Sequence, residues 1–289
     1  MDLNKVINDL IDDKLNTKIE NLKNEIELEL LLRMKRDYGN IIEKNKDYKI
    51  ALCLSGHVRS FLKPYYALKK YLLDKYDVDI FIHTWSYDGQ LGYAQDVSGN
   101  LKKIIENKTR INEETLTLLY NPKKISIEDQ TANSFMSNVP KRIKSNYYKA
   151  KGPVMNNFNA WCQMYSISFA NQLKMQYEKD NDFEYDFVIR MRFDHILDQF
   201  KHEWFDFRKA VKFTDAFWIA PNKINDKLAD LFNYYYNVFI VVKMFNVDLY
   251  YDYLFKKLKL DEEIEEIINL NCILIKRNDK EELIFEKKK

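Results

Sequence analysis

Apolar positions along this chain recur in two rhythms. Through Tyr38 they follow a helical spacing, with Leu3, Ile7 and Leu10 and then Leu15, Ile19, Leu22 and Ile26 stepping by four and three, in a stretch without Gly or Pro. Gly39 supplies a stop, since glycine takes the left-handed cap conformation easily. From Tyr48 onward short apolar runs alternate with three-four-spaced segments. Lys49 to Leu54 reads as a strand, Ser55 and Gly56 as a sharp turn, and Pro64 to about Tyr76 as a helix through Tyr65, Leu68, Leu72 and Leu73. Strand, Gly turn and helix open a βαβ unit, and Val78 to Ile82 supplies the next strand. A helix from Glu113 to Leu119, capped near Asn112, leads to a strand in KISIED. A long helix from Asn157 to Lys179 turns Trp161, Met164, Tyr165, Ser168 and Leu173 inward and leaves Gln163 and Ser166 at the edge of a cleft. Phe187, Val188 and Ile189 form a buried strand, and FWIAP another that ends at Pro221. Helices from about Asn225 to Tyr236 and from Asp261 to Leu270, and a terminal strand in NCILIKR, complete the pattern.

The pattern implies an α/β domain over 46–289 with an N-terminal amphipathic, coiled-coil-like extension over 1–45. That extension is either a handle for homo-oligomer formation or partner docking, or a helix folded onto the main domain.

Charge interrupts the apolar runs at their ends. YDFVIRMRFDHIL closes on Arg190, Arg192, Asp194 and His195, directly after a run that reads as buried. In open α/β sheets ligands bind beyond the carboxyl ends of the strands. Two guanidiniums suit a diphosphate, and a carboxylate among them suits a divalent cation bridging the phosphates. The alternative is a salt bridge at a strand end. YKIALCLSGHVRSF has the same grammar: Gly56 lets backbone approach a ligand, while His57 and Arg59 carry donors for phosphate or a base edge. The strand at Val78 stops in His83, Thr84 and Trp85, so three strand ends carry polar clusters that one sheet would bring together.

Composition narrows the ligand classes. Lys and Arg number 46 against 44 Asp and Glu, a formal charge of +2, which gives no overall drive toward nucleic acid or an anionic membrane. Cys53, Cys162 and Cys272 lie far apart without paired spacing, as expected of free thiols in a reducing, cytoplasmic setting. The acidic, amphipathic N-terminus does not read as a signal peptide, and no apolar stretch approaches bilayer length. Three of the six glycines fall between Tyr87 and Asn107, a loop that is either plain surface or a cover for a ligand. Lys141, Arg142, Lys144, Lys149 and Lys151 form a basic run that is either solvated or a contact for an anionic acceptor.

ALCLSGHVRSF, DVDIFIHTW, YNPKKISIED and EYDFVIRMRFD, in this order and with the helix NAWCQMYSISFANQLKMQYE before the last, resemble bacterial and viral glycosyltransferases of the GT-A type. The resemblance runs from about Tyr48 to Asp198 and more faintly to Arg277. It implies a mixed, mostly parallel sheet flanked by helices, with a nucleoside-diphosphate sugar at its carboxyl edge. The implied donor-binding residues are Ser55, Gly56, His57, Arg59, His83, Thr84, Trp85, Arg190 and Arg192. The family's metal signature pairs two acids one residue apart. Here the triplet is Arg192, Phe193, Asp194, so only the second acid is present and Asp194 is the candidate ligand for a manganese or magnesium ion or for the ribose, with His195 a further donor or soft ligand. The family's Asn-Asp near the acceptor is matched by Asn225 and Asp226, although NVFIVV at Asn237 lacks the glycine that some members carry.

The implied activity is transfer of the sugar to a hydroxyl of a glycan or lipid-linked acceptor. Arg59, Arg190 and Arg192 would offset charge on the departing diphosphate, and Lys276 and Arg277 are more distant candidates. An inverting route also needs a carboxylate base, for which Asp226 is the first candidate and Asp198 or Asp215 the reserves. The reading from another class is a nucleotide- or glycan-binding protein of the same fold without the reaction. No Gly-rich loop ending in Lys-Ser or Lys-Thr supports a kinase-like alternative.

Overall fold

The computed structural model describes residues 44–58, 61–87, 93–95, 101–103, 111–130, 132–141, 156–197, 200, 210–214, 217–230, 232–233, 264–265, 272–277 and 283–287. The expected N-terminal helix, Arg59, Asp198, Asp215, NVFIVV and most of the basic run lie outside them.

In chain order the elements are β1 (Asn45–Gly56), α1 (Leu62–Leu68), β2 (Tyr76–Trp85), β3 (Tyr93–Gln95), β4 (Leu101–Lys103), α2 (Glu113–Tyr120), β5 (Lys124–Glu128), α3 (Asn133–Asn138) and α4 (Asn156–Asn181). There follow β6 (Phe187–Met191), β7 (His195–Leu197), β8 (Ala210–Thr214), β9 (Phe217–Pro221), α5 (Asn222–Ala229), β10 (Ile264–Glu265), β11 (Cys272–Arg277) and β12 (Leu283–Lys287). Seven strands form one sheet in the order β10-β8-β9-β6-β1-β2-β5. β1 pairs in parallel with β2 and β6, and β2 with β5, so all four point their carboxyl ends to one edge. β9 runs antiparallel to both β6 and β8, which makes the sheet mixed. β7, β11 and β12 form a second, antiparallel sheet, and β3 with β4 a short hairpin.

Side-chain alternation along β1 builds a core on each face of the sheet. Ile50, Leu52 and Leu54 point toward Leu68 and Leu72 after α1 begins, and toward Leu116 and Leu119 of α2. Ala51 and Cys53 point the other way, against Ala170 of α4 and Val188 of β6. Because both faces are covered, β6 is buried at all five positions, Arg190 included.

Several boundaries differ from those the sequence predicts. β1 continues through Ser55 to Gly56, whose φ of +102° ends the strand in a region that favours glycine. The helix expected to reach Tyr76 stops after α1 and a π-type turn over Lys69–Leu73, and Tyr76 opens β2 instead. Pro64 sits in the first turn of α1, where its missing N–H has no helical partner to lose. α2 is capped as predicted, with Asn112 Oδ1 accepting from Glu114 N at 2.9 Å. α5 begins at Asn222, three residues before the predicted start. Ile264 and Glu265 pair with Ala210 and Val211 of β8, so sheet pairing prevails there over helical spacing. NCILIKR is a strand, but β12 follows it.

Candidate functional site

β1 and β2 deliver their ends side by side, with Ser55 opposite His83 and Gly56 opposite Thr84. The first turns of α4 cross above them. Between these elements lies a cavity of about 60 Å³ bordered by Ser55, Gly56, His57, Trp85, Asn159, Cys162, Gln163 and Arg192. Strand ends more than a hundred residues apart in sequence therefore meet at one place, because β1 is flanked by β2 on one side and β6 on the other.

Hydrogen bonds tie the strand ends to α4. Gly56 N donates to Ser166 Oγ at 2.8 Å, and Thr84 Oγ1 donates to the Gly56 carbonyl at 2.7 Å. His83, fully buried, places Nδ1 2.7 Å from Ser166 Oγ and Nε2 3.8 Å from Glu128 Oε2. Burial pushes the His83 imidazole below its ordinary pKa. Glu128 is held below the usual carboxylate value by His83 and by the Tyr165 hydroxyl, which donates to its Oε1 at 3.1 Å. Trp85 packs on Tyr165 with nearly parallel rings, centroids 5.9 Å apart, which fixes the indole at the cavity wall. His57 has Tyr87 O 3.3 Å from Nδ1 and Gln130 Nε2 3.3 Å from Nε2. A proton on Nδ1 satisfies both contacts, so the ring is seated as a wall of the cavity.

The two arginines of β6 and the turn after it divide the work. Arg190, 2% exposed, donates from Nε to Ser55 Oγ at 3.2 Å and lies over the Trp218 ring at 5.1 Å. It underlies the cavity without bordering it. Arg192 does border it, with its side chain 22% exposed. Its Nε and Nη2 donate to Asp194 Oδ1 and Oδ2 at 2.9 and 2.6 Å. Asp194 is 1% exposed, and His195 Nδ1 stands 3.4 Å from the same Oδ1. A carboxylate engaged in this way does not fit a divalent ion, and among the described residues no three His, Cys, Asp or Glu side chains gather as a metal group.

Asp226 is placed elsewhere. Its Oδ1 accepts from Lys174 Nζ and from Asn171 Nδ2, both at 2.9 Å. Those residues lie eight to eleven positions beyond Gln163 on α4, about 12–17 Å along the axis toward the opposite sheet edge. Lys174, fully buried, also meets Glu178 Oε2 at 3.0 Å and Asn222 Oδ1. Asn225 bridges Trp218 Nε1 and Asn171 in the same network. The Asn-Asp pair thus packs α5 on α4, away from the cavity.

Of the residues the sequence singles out, the structure puts Ser55, Gly56, His57, Trp85, Arg192 and Gln163 on the cavity wall and His83, Thr84, Arg190 and Ser166 just behind it. It did not single out Glu128, Gln130 or Asn159. Glu128 carried a legible signal, an acid at the end of a predicted strand, as in KISIED. Cys162 was read as a free thiol, and burial pushes it well above its usual pKa, so it borders the cavity as a neutral group. Among the described residues no helix is long and apolar enough to cross a membrane. No protein-family model matches the chain, and a search of curated proteins returns no match.

Proposed function

We propose that the chain is a GT-A-like glycosyltransferase that binds a nucleoside-diphosphate sugar at the carboxyl edge of its main sheet and transfers the sugar to a hydroxyl of a glycan or lipid-linked acceptor. One observation carries the reading: Ser55, Gly56, His57, Trp85 and Arg192, from three separate strand ends, border a single cavity. A flat indole suits a base or a sugar face, the Gly56 backbone admits close approach, and Arg192 meets negative charge. As the diphosphate departs, charge grows on its oxygens, and a guanidinium already in place lowers the energy of that state. Arg190, bonded to Ser55, holds the cavity floor and adds a second positive charge beneath it.

A second reading, ligand binding without transfer, is favoured by a specific feature: among the described residues, those bordering the cavity include no carboxylate, and Asp226 is engaged with Lys174. Thermal denaturation with uridine, guanosine, cytidine and thymidine diphosphates, each with and without manganese, tests the site. At least one nucleotide should raise the melting temperature in wild type and fail to do so in Arg192→Ala. A flat response to all four removes the proposal. Release of sugar from the matching donor then separates transfer from binding alone.

A further inference from the structure

We propose that Asp194 is a positioning residue whose buried carboxylate fixes Arg192 as the cation beside the cavity, so that a diphosphate-bearing ligand is held without a divalent ion bridging it to Asp194. This rests on the nucleotide-binding reading above. The two side chains meet edge to edge, Nε to Oδ1 and Nη2 to Oδ2, the planar fork that arginine forms and lysine does not. Exposure separates the partners. Arg192 is 22% exposed and borders the cavity, while Asp194 is 1% exposed and lies behind it, so an incoming anion meets the guanidinium first.

The turn that carries the pair is anchored on all sides. Phe193 is buried against Tyr120, ring centroids 5.9 Å apart, and His195 N donates to the Arg192 carbonyl at 3.3 Å. His195 then enters β7, whose backbone pairs with Leu274 of β11. A metal at Asp194 would have to break both guanidinium bonds inside this packed turn. A diphosphate at Arg192 breaks neither, and a guanidinium locked in one orientation loses little further freedom when the anion arrives.

Uridine and guanosine diphosphate and inorganic pyrophosphate serve as probes of the full-length chain by calorimetry, in EDTA and in manganese. The inference expects at least one of the three to bind with a dissociation constant that agrees within about threefold between the two conditions. Asp194→Asn should weaken that binding about tenfold, through loss of a charge-assisted bond at a residue that does not border the cavity. Arg192→Lys, which keeps the charge and loses the fork, should weaken it comparably while leaving the urea midpoint near wild type. The Arg192 Nε–H nuclear magnetic resonance signal should be protected from exchange in wild type and lose that protection in Asp194→Asn. Binding that requires manganese and vanishes in Asp194→Asn makes Asp194 a metal ligand and overturns the inference while sparing the nucleotide reading. Wild-type affinity of Asp194→Asn in EDTA overturns it as well. Silence of all three probes in both conditions removes the nucleotide reading and the inference together.

Discussion

Lys174 has a fully buried ammonium beside two carboxylates, Glu178 at 3.0 Å and Asp226 at 2.9 Å. Lys174→Ala would leave the buried Glu178 and the partly exposed Asp226 facing each other without the cation between them, at a cost of about 3 kcal/mol. Urea denaturation should show that loss, and a midpoint unchanged from wild type would mean the network contributes little. The same cluster engages Asp226, the candidate base, with Lys174 and Asn171 away from the cavity. Sequence patterns mark where a strand ends, but not which way it runs in the sheet. FWIAP was legible as a strand, yet β9 is antiparallel to β6, with Pro221 opposite Phe187 at the start of β6. The helix after it therefore opens at the amino edge. Ser55, His83 and Arg190 come together because parallel neighbours carry their strand-end residues to a common edge, which local sequence chemistry is enough to anticipate.

Among the elements, β1 sets the position of the cavity. Its last residue, Gly56, takes φ of +102°, and an added Cβ would meet nothing within 4 Å, so the constraint is backbone conformation and not space. Gly56→Ala should lower stability by about 1–3 kcal/mol. It should also loosen the N–H that reaches Ser166 Oγ at 2.8 Å, weakening diphosphate binding by calorimetry even after correction for the folded fraction. Full stability in this variant would show that the strand end tolerates a side chain. Long periodic elements were the most legible, α4 being found within two residues at each end. Ile264 and Glu265 were not, since the spacing of apolar positions in so short a segment weakly favours helix and pairing with β8 overrides it.

For the molecule as a whole, burial sets the acid limb of stability. His83 and His195 are both pushed below their ordinary value of 6.5 by burial, so the unfolded chain binds protons that the folded chain refuses. Stability is complete above that value and falls as pH drops below it. Glu128, held below its ordinary 4.5 chiefly by His83, adds a second loss as pH falls through the carboxylate range. The urea midpoint should therefore hold near neutrality, decline between about pH 6.5 and 5, and steepen below. A level profile from pH 7 to 5 would contradict the buried, neutral histidines. His83→Gln, which keeps a polar amide without the titration, should flatten part of the first decline.

Sheet order also governs when the cavity can exist. Lys49, near the start of the central strand, donates its backbone N–H to Asp186 Oδ2 at 2.7 Å, 137 residues later, and only past that point does the chain supply Arg192. Half of the pocket is thus present early in synthesis, as a strand pair with one flank bare. Closure waits for a partner from the far side of the sequence, a long-range contact of the kind that slows folding. Nucleotide affinity, once measurable, becomes a readout of completed folding, and any fragment ending before Phe187 should lack it.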